Sequence, residues 1–241
     1  MSKYEEIANV IRKRISDGVY PVDSNIPVQS DLAKEFSVSR MTVKKAIEIL
    51  TIEGLVYSKQ GHGTKVLNSS FWDKNDLNFR FDDYNGLSKD LHEHADRLSS
   101  QIIAFEVEFP QKEVAERLQL DSKTPVYRIV RLRLLDEKPY VLEHTFMPVD
   151  LAPGLDEDVL MSSVYGFLHK TLGLKFAGSY RHITASKADS FDLEHLKCDK
   201  HDPILEVEQV VYLDNGRPIE YSKSRNRYDT RGYSLLDVKN S

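Results

Sequence analysis

From Ser37 to Thr64 the chain reads Ser-Val-Ser-Arg-Met-Thr-Val-Lys-Lys-Ala-Ile-Glu-Ile-Leu-Thr-Ile-Glu-Gly-Leu-Val-Tyr-Ser-Lys-Gln-Gly-His-Gly-Thr. Val43, Ala46, Ile47 and Leu50 recur at intervals of three and four, so a helix here carries one apolar stripe that packs inward. Ser39 is placed to cap its first turn and Gly54 to stop it. Arg40, Thr42 and Lys44, with Lys45 beside them, leave the helix off the stripe. Short polar and cationic side chains at the leading end of a helix are what the major groove of DNA admits. Beyond Gly54, Leu55 to Ser58 and Thr64 to Leu67 read as two short strands. Gly61 and Gly63, on either side of His62, permit a turn whose backbone approaches a phosphate or the minor groove closely. The pattern is that of a recognition helix followed by a β-hairpin wing. A small helical subdomain with solvated lysines is the alternative these residues leave open.

Upstream, Ile7, Val10, Ile11 and Ile15 make an amphipathic helix from about Tyr4 to Asp17, closed by Gly18 and Pro21. A shorter helix follows at about Ser30 to Phe36. Ser37 and Val38 alone separate it from the Ser39 cap, the tight connection of a helix-turn-helix. Residues 3 to 67 resemble the GntR family of bacterial transcription regulators. The resemblance runs from Tyr4 and Ile7-Ala8 through Gly18-Val19-Tyr20, Ile26-Pro27, Asp31-Leu32-Ala33, Val38-Ser39-Arg40, Thr42-Val43 and Glu53-Gly54-Leu55 to Gly61-His62-Gly63-Thr64. It implies that Arg40, Thr42 and Lys44 of the helix, and His62 and Gly63 of the wing, touch DNA; Ser39 and Lys45 beside them are expected to belong to the same surface. Where the family usually writes Pro-Ser-Glu and an arginine, this chain has Pro27-Val28-Gln29 and Ser30-Asp31, so the resemblance carries over no phosphate contact from that helix.

The net charge of −5 is unusual for a DNA-binding chain until it is divided. Residues 1–67 hold ten Lys and Arg against eight Asp and Glu, a net of +2; the remainder holds 23 against 30, a net of −7. The basic character is local, and the acidic part repels a phosphate backbone. One cysteine, Cys198, excludes an internal disulfide and offers no metal spacing. No apolar run approaches a membrane span and no signal peptide precedes the first helix, so a cytoplasmic protein without cofactor is expected.

Three segments are expected: a DNA-binding head over 1–67, a linker over 68–78 rich in turn formers, and a second domain over 79–241. Phe71 and Trp72 in the linker either anchor it on one domain or relay a signal. In the second domain Ile102–Phe109, Val126–Leu135, Tyr140–Met147, Ser179–Ala185, Ile204–Leu213 and Pro218–Tyr228 read as strands. Gln111–Leu118, Ser162–Leu172 and Ser190–Leu196 read as helices. Asp136 to Pro139 and Asp214-Asn215-Gly216 are hairpin turns. The fold class is α+β: a winged helix-turn-helix, then a mostly antiparallel sheet with helices on one side.

Within Tyr127-Arg128-Ile129-Val130-Arg131-Leu132-Arg133, residues two apart share a face, so Arg131 and Arg133 project side by side. Two such guanidiniums repel unless an anion lies near; a phosphate fits their planar forks, and so does a neighbouring carboxylate or open solvent. Glu143 across the hairpin, and Glu220, Ser222 and Tyr228 of the last strand, are hydroxyl-reading types. Ser163-Val164-Tyr165 and Gly86-Leu87-Ser88 each open an expected helix, whose free N–H groups favour anions.

Residues 80 to 236 resemble the UTRA effector domain of the HutC branch of that family, which shares its fold with chorismate lyase. Arg131-Leu132-Arg133, Tyr140 with Glu143, Pro148, Ser163-Val164-Tyr165, and Gly216 to Ser222 through Arg227-Tyr228 carry the likeness. It implies that Arg131, Arg133, Ser163 and Tyr165, with a contact near Ser88, hold the phosphate of a sugar phosphate. Glu143, Glu220 and Tyr228 then read the sugar, and Ser222, on the expected face of Glu220 and Tyr228, is expected to join them. The expected function is a homodimeric repressor of sugar-uptake or catabolic genes, released from its operator by a phosphorylated sugar. The same regulator answering to an amino-acid derivative or other anion is the alternative. A lyase-like enzyme is opposed by the lack of a nucleophile–base pair, and none of the eight histidines stands in a catalytic or metal spacing. An all-helical effector domain is opposed by the two hairpin turns.

Overall fold

The computed structural model describes residues 2–59, 61–68 and 97–232. The chain forms two compact units, each described by itself.

The first unit runs α1 (Lys3–Ser16), β1 (Asn25–Ile26), α2 (Gln29–Glu35), α3 (Arg40–Ile52), β2 (Val56–Lys59) and β3 (Gly63–Val66). Ile7, Ala8 and Ile11 of α1 pack with Val43, Ala46, Ile47 and Leu50 of α3, and Leu32, Val56 and Val66 close the core. Each of the valines, leucines and isoleucines withdrawn from water contributes about 1.5–3 kcal/mol before entropy is counted. Val10, expected on the packed stripe, is 40% exposed; the turn of the helix brings Ala8 inward in its place. The Arg12 fork donates to Glu53 at 2.8 and 2.5 Å, tying α1 to the end of α3. The sheet order is β1-β3-β2, antiparallel throughout. A strand of two residues carries no period, which is why β1 escapes a reading of the sequence.

The second unit runs β4 (Leu98–Glu108), α4 (Lys112–Leu118), β5 (Val126–Leu135), β6 (Lys138–Pro148), α5 (Glu157–Met161), α6 (Val164–Lys170), β7 (Phe176–Lys187), α7 (Ser190–His195), β8 (Pro203–Leu213) and β9 (Pro218–Arg227). One antiparallel sheet of order β4-β5-β6-β9-β8-β7 joins all six long strands. The β5–β6 turn places Asp136 and Glu137 at φ +49° and +64°, two successive left-handed residues that match the twist of a hairpin.

Helices cover both faces of this sheet, where one covered side was expected. Tyr127, Ile129 and Met147 pack with Leu160, Val164 and Leu168 of the α5–α6 segment. Val130, Leu132 and Leu142, of opposite parity, pack with Leu196, Phe191 and Leu193 around α7. Val126, Val210 and Tyr221 meet Val114 and Leu118 of α4. Alternation along a strand sends neighbouring residues to opposite faces. A strand apolar on both parities therefore needs cover on both sides.

Candidate functional site

In the first unit, Ser39 Oγ accepts from the Thr42 backbone N–H at 3.2 Å and lies 2.9 Å from the Thr42 hydroxyl. This cap fixes where α3 begins. At about 100° per residue, Val43, Ala46, Ile47 and Leu50 occupy one arc, and all four are buried. Arg40, Lys44 and Lys45 stand exposed on the remaining arc. Lys44 lies 3.8 Å from Glu48 with both more than half exposed, a pair worth little in water. The Lys45 ammonium lies 5.7 Å from the centre of the Tyr4 ring, turned toward α1. Met41, which no periodicity marks, is 61% exposed among these cations. In the wing, Gly63 has φ +84° and a Cβ there would meet the Asn25 carboxamide at 3.4 Å. Asn25 Nδ2 donates to the His62 carbonyl at 3.4 Å, steadying the turn that presents His62.

In the second unit, Arg131 stands directly opposite Glu143, Glu143 opposite Ser224, and Thr145 opposite Ser222, so these side chains share one face. Arg131 Nη2 donates to Glu143 Oε2 at 2.8 Å, and its Nη1 to the Leu160 carbonyl at 2.7 Å, fastening α5 to the sheet. Of the alternatives open for Arg131, the structure thus takes the carboxylate partner. Arg133 follows on the same face and is 4% exposed. Burial, outweighing the attraction of Glu143, and the neighbouring Arg131 together push it down to about 10. Burial pushes the Glu143 carboxyl up, but Arg131 and Arg133, with Arg231 farther on, hold it below its ordinary value. A carboxylate ringed by three guanidiniums leaves positive charge in excess, which is what a dianion seeks.

One strand over, the Tyr165 hydroxyl donates to Glu220 Oε2 at 2.8 Å and the Ser222 hydroxyl to Glu220 Oε1 at 2.7 Å. Gln209 Nε2 donates to Glu220 Oε1 at 3.2 Å, and Arg181 Nε to Gln209 Oε1 at 2.5 Å. The Tyr165 ring packs 5.3 Å from Phe176. Burial raises the Glu220 carboxyl above its ordinary range, with Glu143 adding to it; Ser222, Tyr165 and Gln209 act against the rise. Burial and Glu220 also raise Tyr165 well above its ordinary value, so it stays a neutral donor. The resemblance grouped Tyr165 with the arginines; here its hydroxyl belongs to Glu220.

Ser163 is the N-cap of α6, its Oγ accepting from the Gly166 N–H at 3.1 Å. A Cβ on Gly166 would come within 3.0 Å of that oxygen, so glycine keeps the cap in place. Tyr228 falls past the end of β9 and is 57% exposed, so it does not share the buried face with Glu220 and Ser222 as its parity suggested. Ser88, Phe71, Trp72, His92 and His94 lie outside the described residues. Gln209 and Arg181 join the face unpredicted: Gln209 is within reach of the expected β8–β9 hairpin, whereas Arg181 requires knowing that β7 pairs with β8; Arg231, also unpredicted, donates to Asn226 Oδ1 at 3.2 Å. Among the described residues no group of three His, Cys, Asp or Glu could hold a metal ion, and no helix is long and apolar enough to cross a membrane.

Comparison with known proteins bears on both units. Residues 3–66 match the family of bacterial regulatory proteins described as the gntR family, and residues 94–230 match the UTRA domain. The chain is 48% identical over 239 residues to the HTH-type transcriptional regulator GmuR of Bacillus subtilis (strain 168), covering 99% of this chain and 100% of that one. It is 30% identical over 238 residues to the mannosyl-D-glycerate transport/metabolism system repressor MngR of Escherichia coli (strain K12), covering 99% and 97%. The crystal structure of the possible transcriptional regulator YydK from Bacillus subtilis superposes with a TM-score of 0.80 at 24% identity, covering 98% of this chain and all of the other, a likeness of fold.

Proposed function

The chain belongs to the gntR family of bacterial regulatory proteins and carries a UTRA domain, which makes it a DNA-binding, effector-responsive transcriptional regulator, and from that premise we propose that it is a repressor freed from its operator by a phosphorylated sugar. The gntR–UTRA pairing is of the HutC type. The observation that carries the effector reading is the meeting, on one buried sheet face, of Arg131, Arg133 and Glu143 with Tyr165, Glu220 and Ser222. Paired guanidiniums take a phosphate bidentately. Carboxylates and hydroxyls beside them suit the alternating donors and acceptors of a sugar ring. Arg131 exchanges Glu143 for the phosphate, and the released carboxylate accepts from a sugar hydroxyl.

At the head, Ser39 and Thr42 set the start of α3, Arg40 and Lys44 reach bases and phosphates, and Met41 offers an apolar contact suited to a thymine methyl. Lys45 contributes long-range charge, and His62 with Gly63 approaches the adjacent groove. A homodimer reads two half-sites, doubling the contacts of one short helix. The effector binds better to a state whose heads no longer match that spacing; equal affinity for both states would shift nothing. MngR is by its name a repressor of a mannosyl-D-glycerate transport and metabolism system, which supports the sugar reading here.

Calorimetric titration of the full chain with hexose 6-phosphates and with the same sugars unphosphorylated tests this. Binding of a phosphorylated member alone, lost in Arg133→Ala, is expected. Equal binding of the unphosphorylated sugar, or selective binding of a non-sugar anion, would redirect the reading.

A further inference from the structure

Gln209 stands in the middle of β8, directly opposite Ser222 of β9 on one side and Arg181 of β7 on the other. A carboxamide can turn either end toward a neighbour, and here the neighbours settle which. A guanidinium only donates, so the atom 2.5 Å from Arg181 Nε is the carbonyl oxygen. The –NH₂ end therefore faces Glu220 Oε1 at 3.2 Å. Glu220, 5% exposed, then accepts two bonds on Oε1, from Ser222 and Gln209, and one on Oε2, from Tyr165. A carboxylate has about two lone-pair sites on each oxygen, so Oε1 is filled and Oε2 keeps one direction open.

We propose that Gln209 is a specificity-determining residue of the effector site and Arg181 its positioning residue: by filling Glu220 Oε1 they leave Oε2 as the acceptor that selects one hydroxyl of a polyhydroxylated ligand. This rests on the effector reading of the sheet face given above. Bracing β7, β8 and β9 is the competing role. The backbone ladder already joins those strands over their length. Holding a half-buried guanidinium and carboxamide against a buried carboxylate costs desolvation that an apolar row would avoid. A polar row retained at that cost, next to the paired arginines, is accounted for by a ligand that uses it.

The test is calorimetric titration of the full chain with hexose 6-phosphates epimeric at C2, C3 and C4, alongside thermal melting. Gln209→Glu keeps the acceptor for Arg181 and deletes the donor to Glu220; Arg181→Met deletes the positioning donor and keeps an apolar stem. Each is expected to lose about tenfold or more in affinity for the epimer the native chain prefers, as for a lost hydrogen bond to a charged group, while the weaker epimers change little. Gln209→Met, similar in volume and uncharged, carries the same expectation if the acidic variant does not fold. Unchanged affinity and ranking, or an equal loss for every epimer together with a lower melting temperature, would overturn the assignment and leave bracing. A native chain that binds none of these probes overturns the sugar reading of the face, and this assignment with it.

Discussion

Arg40 is the residue on which base reading turns, because it opens α3 directly behind a formed cap and stands exposed. Arg40→Ala should weaken operator binding by about 1–3 kcal/mol if its fork reads a base, measured by fluorescence anisotropy, with effector affinity retained; the reverse pattern would misplace the reading helix. Glu220 allows a prediction in pH. Its carboxyl is raised in the folded chain by burial and by Glu143, so the folded state holds the proton more firmly than the unfolded state does. The stability this gives is complete below the unfolded value of about 4.3 and is lost as pH climbs through the folded value. Glu220→Gln, neutral at every pH, escapes that loss. The melting temperature of the variant minus that of the native chain should therefore be more positive at pH 8 than at pH 4, and a flat or inverted difference would deny the burial cost. At this scale the cationic and acidic members of the site were legible because Arg131 and Arg133 lie two apart and Glu143 sits across a short hairpin. Tyr228 misled for a simple reason: its parity with Glu220 counts only inside the strand, and the strand ends at Arg227.

Helices and strands with a clean period were legible to within a few residues: α3 from its Ser39 cap and four-residue stripe, β5 and β6 from the turn between them. Two elements were not. β1 is two residues long, and α5, of five, lies in a stretch whose apolar residues find partners only once the sheet exists. Sidedness also escaped, since Val130 and Leu132 with Ile129 make β5 apolar on both parities, and a single strand does not say which element arrives on each face. The helix α7 shows how such cover is held. Asp192 is fully buried, accepts Arg225 Nε at 2.8 Å and Nη2 at 2.5 Å, and also accepts the Asp189 N–H at 2.9 Å. Breaking a buried pair from one side leaves the other charge undercompensated, here with Arg225 held by Glu206 in place of two carboxylates, so Asp192→Ala should cost about 3 kcal/mol, read from urea unfolding. A loss below about 1 kcal/mol, the level of a surface pair, would show that Glu206, which already accepts from Arg225 Nη1, compensates the charge by itself.

For the molecule as a whole, the charge divides as the work does: a head of net +2 for a polyanion, and a remainder of net −7 in which guanidiniums are gathered on one sheet face. That gathering was only half legible. Gln209 reaches Glu220 across the β8–β9 hairpin and Arg181 reaches Gln209 through the β7–β8 pairing, but only the pairing of β9 with β6, strands far apart in the chain, brings this row beside Glu143, and no local pattern announces it. A phosphorylated sugar held on this face is proposed to set operator affinity. The most direct test is an anisotropy titration of the full chain on a labelled fragment of its own upstream DNA, with a hexose 6-phosphate that binds by calorimetry added at saturating concentration. The operator is expected to be released from the native chain, the unphosphorylated sugar to have no effect, and Arg133→Ala to hold the operator throughout. An operator that stays bound to the native chain while the effector site is demonstrably filled would contradict the proposal.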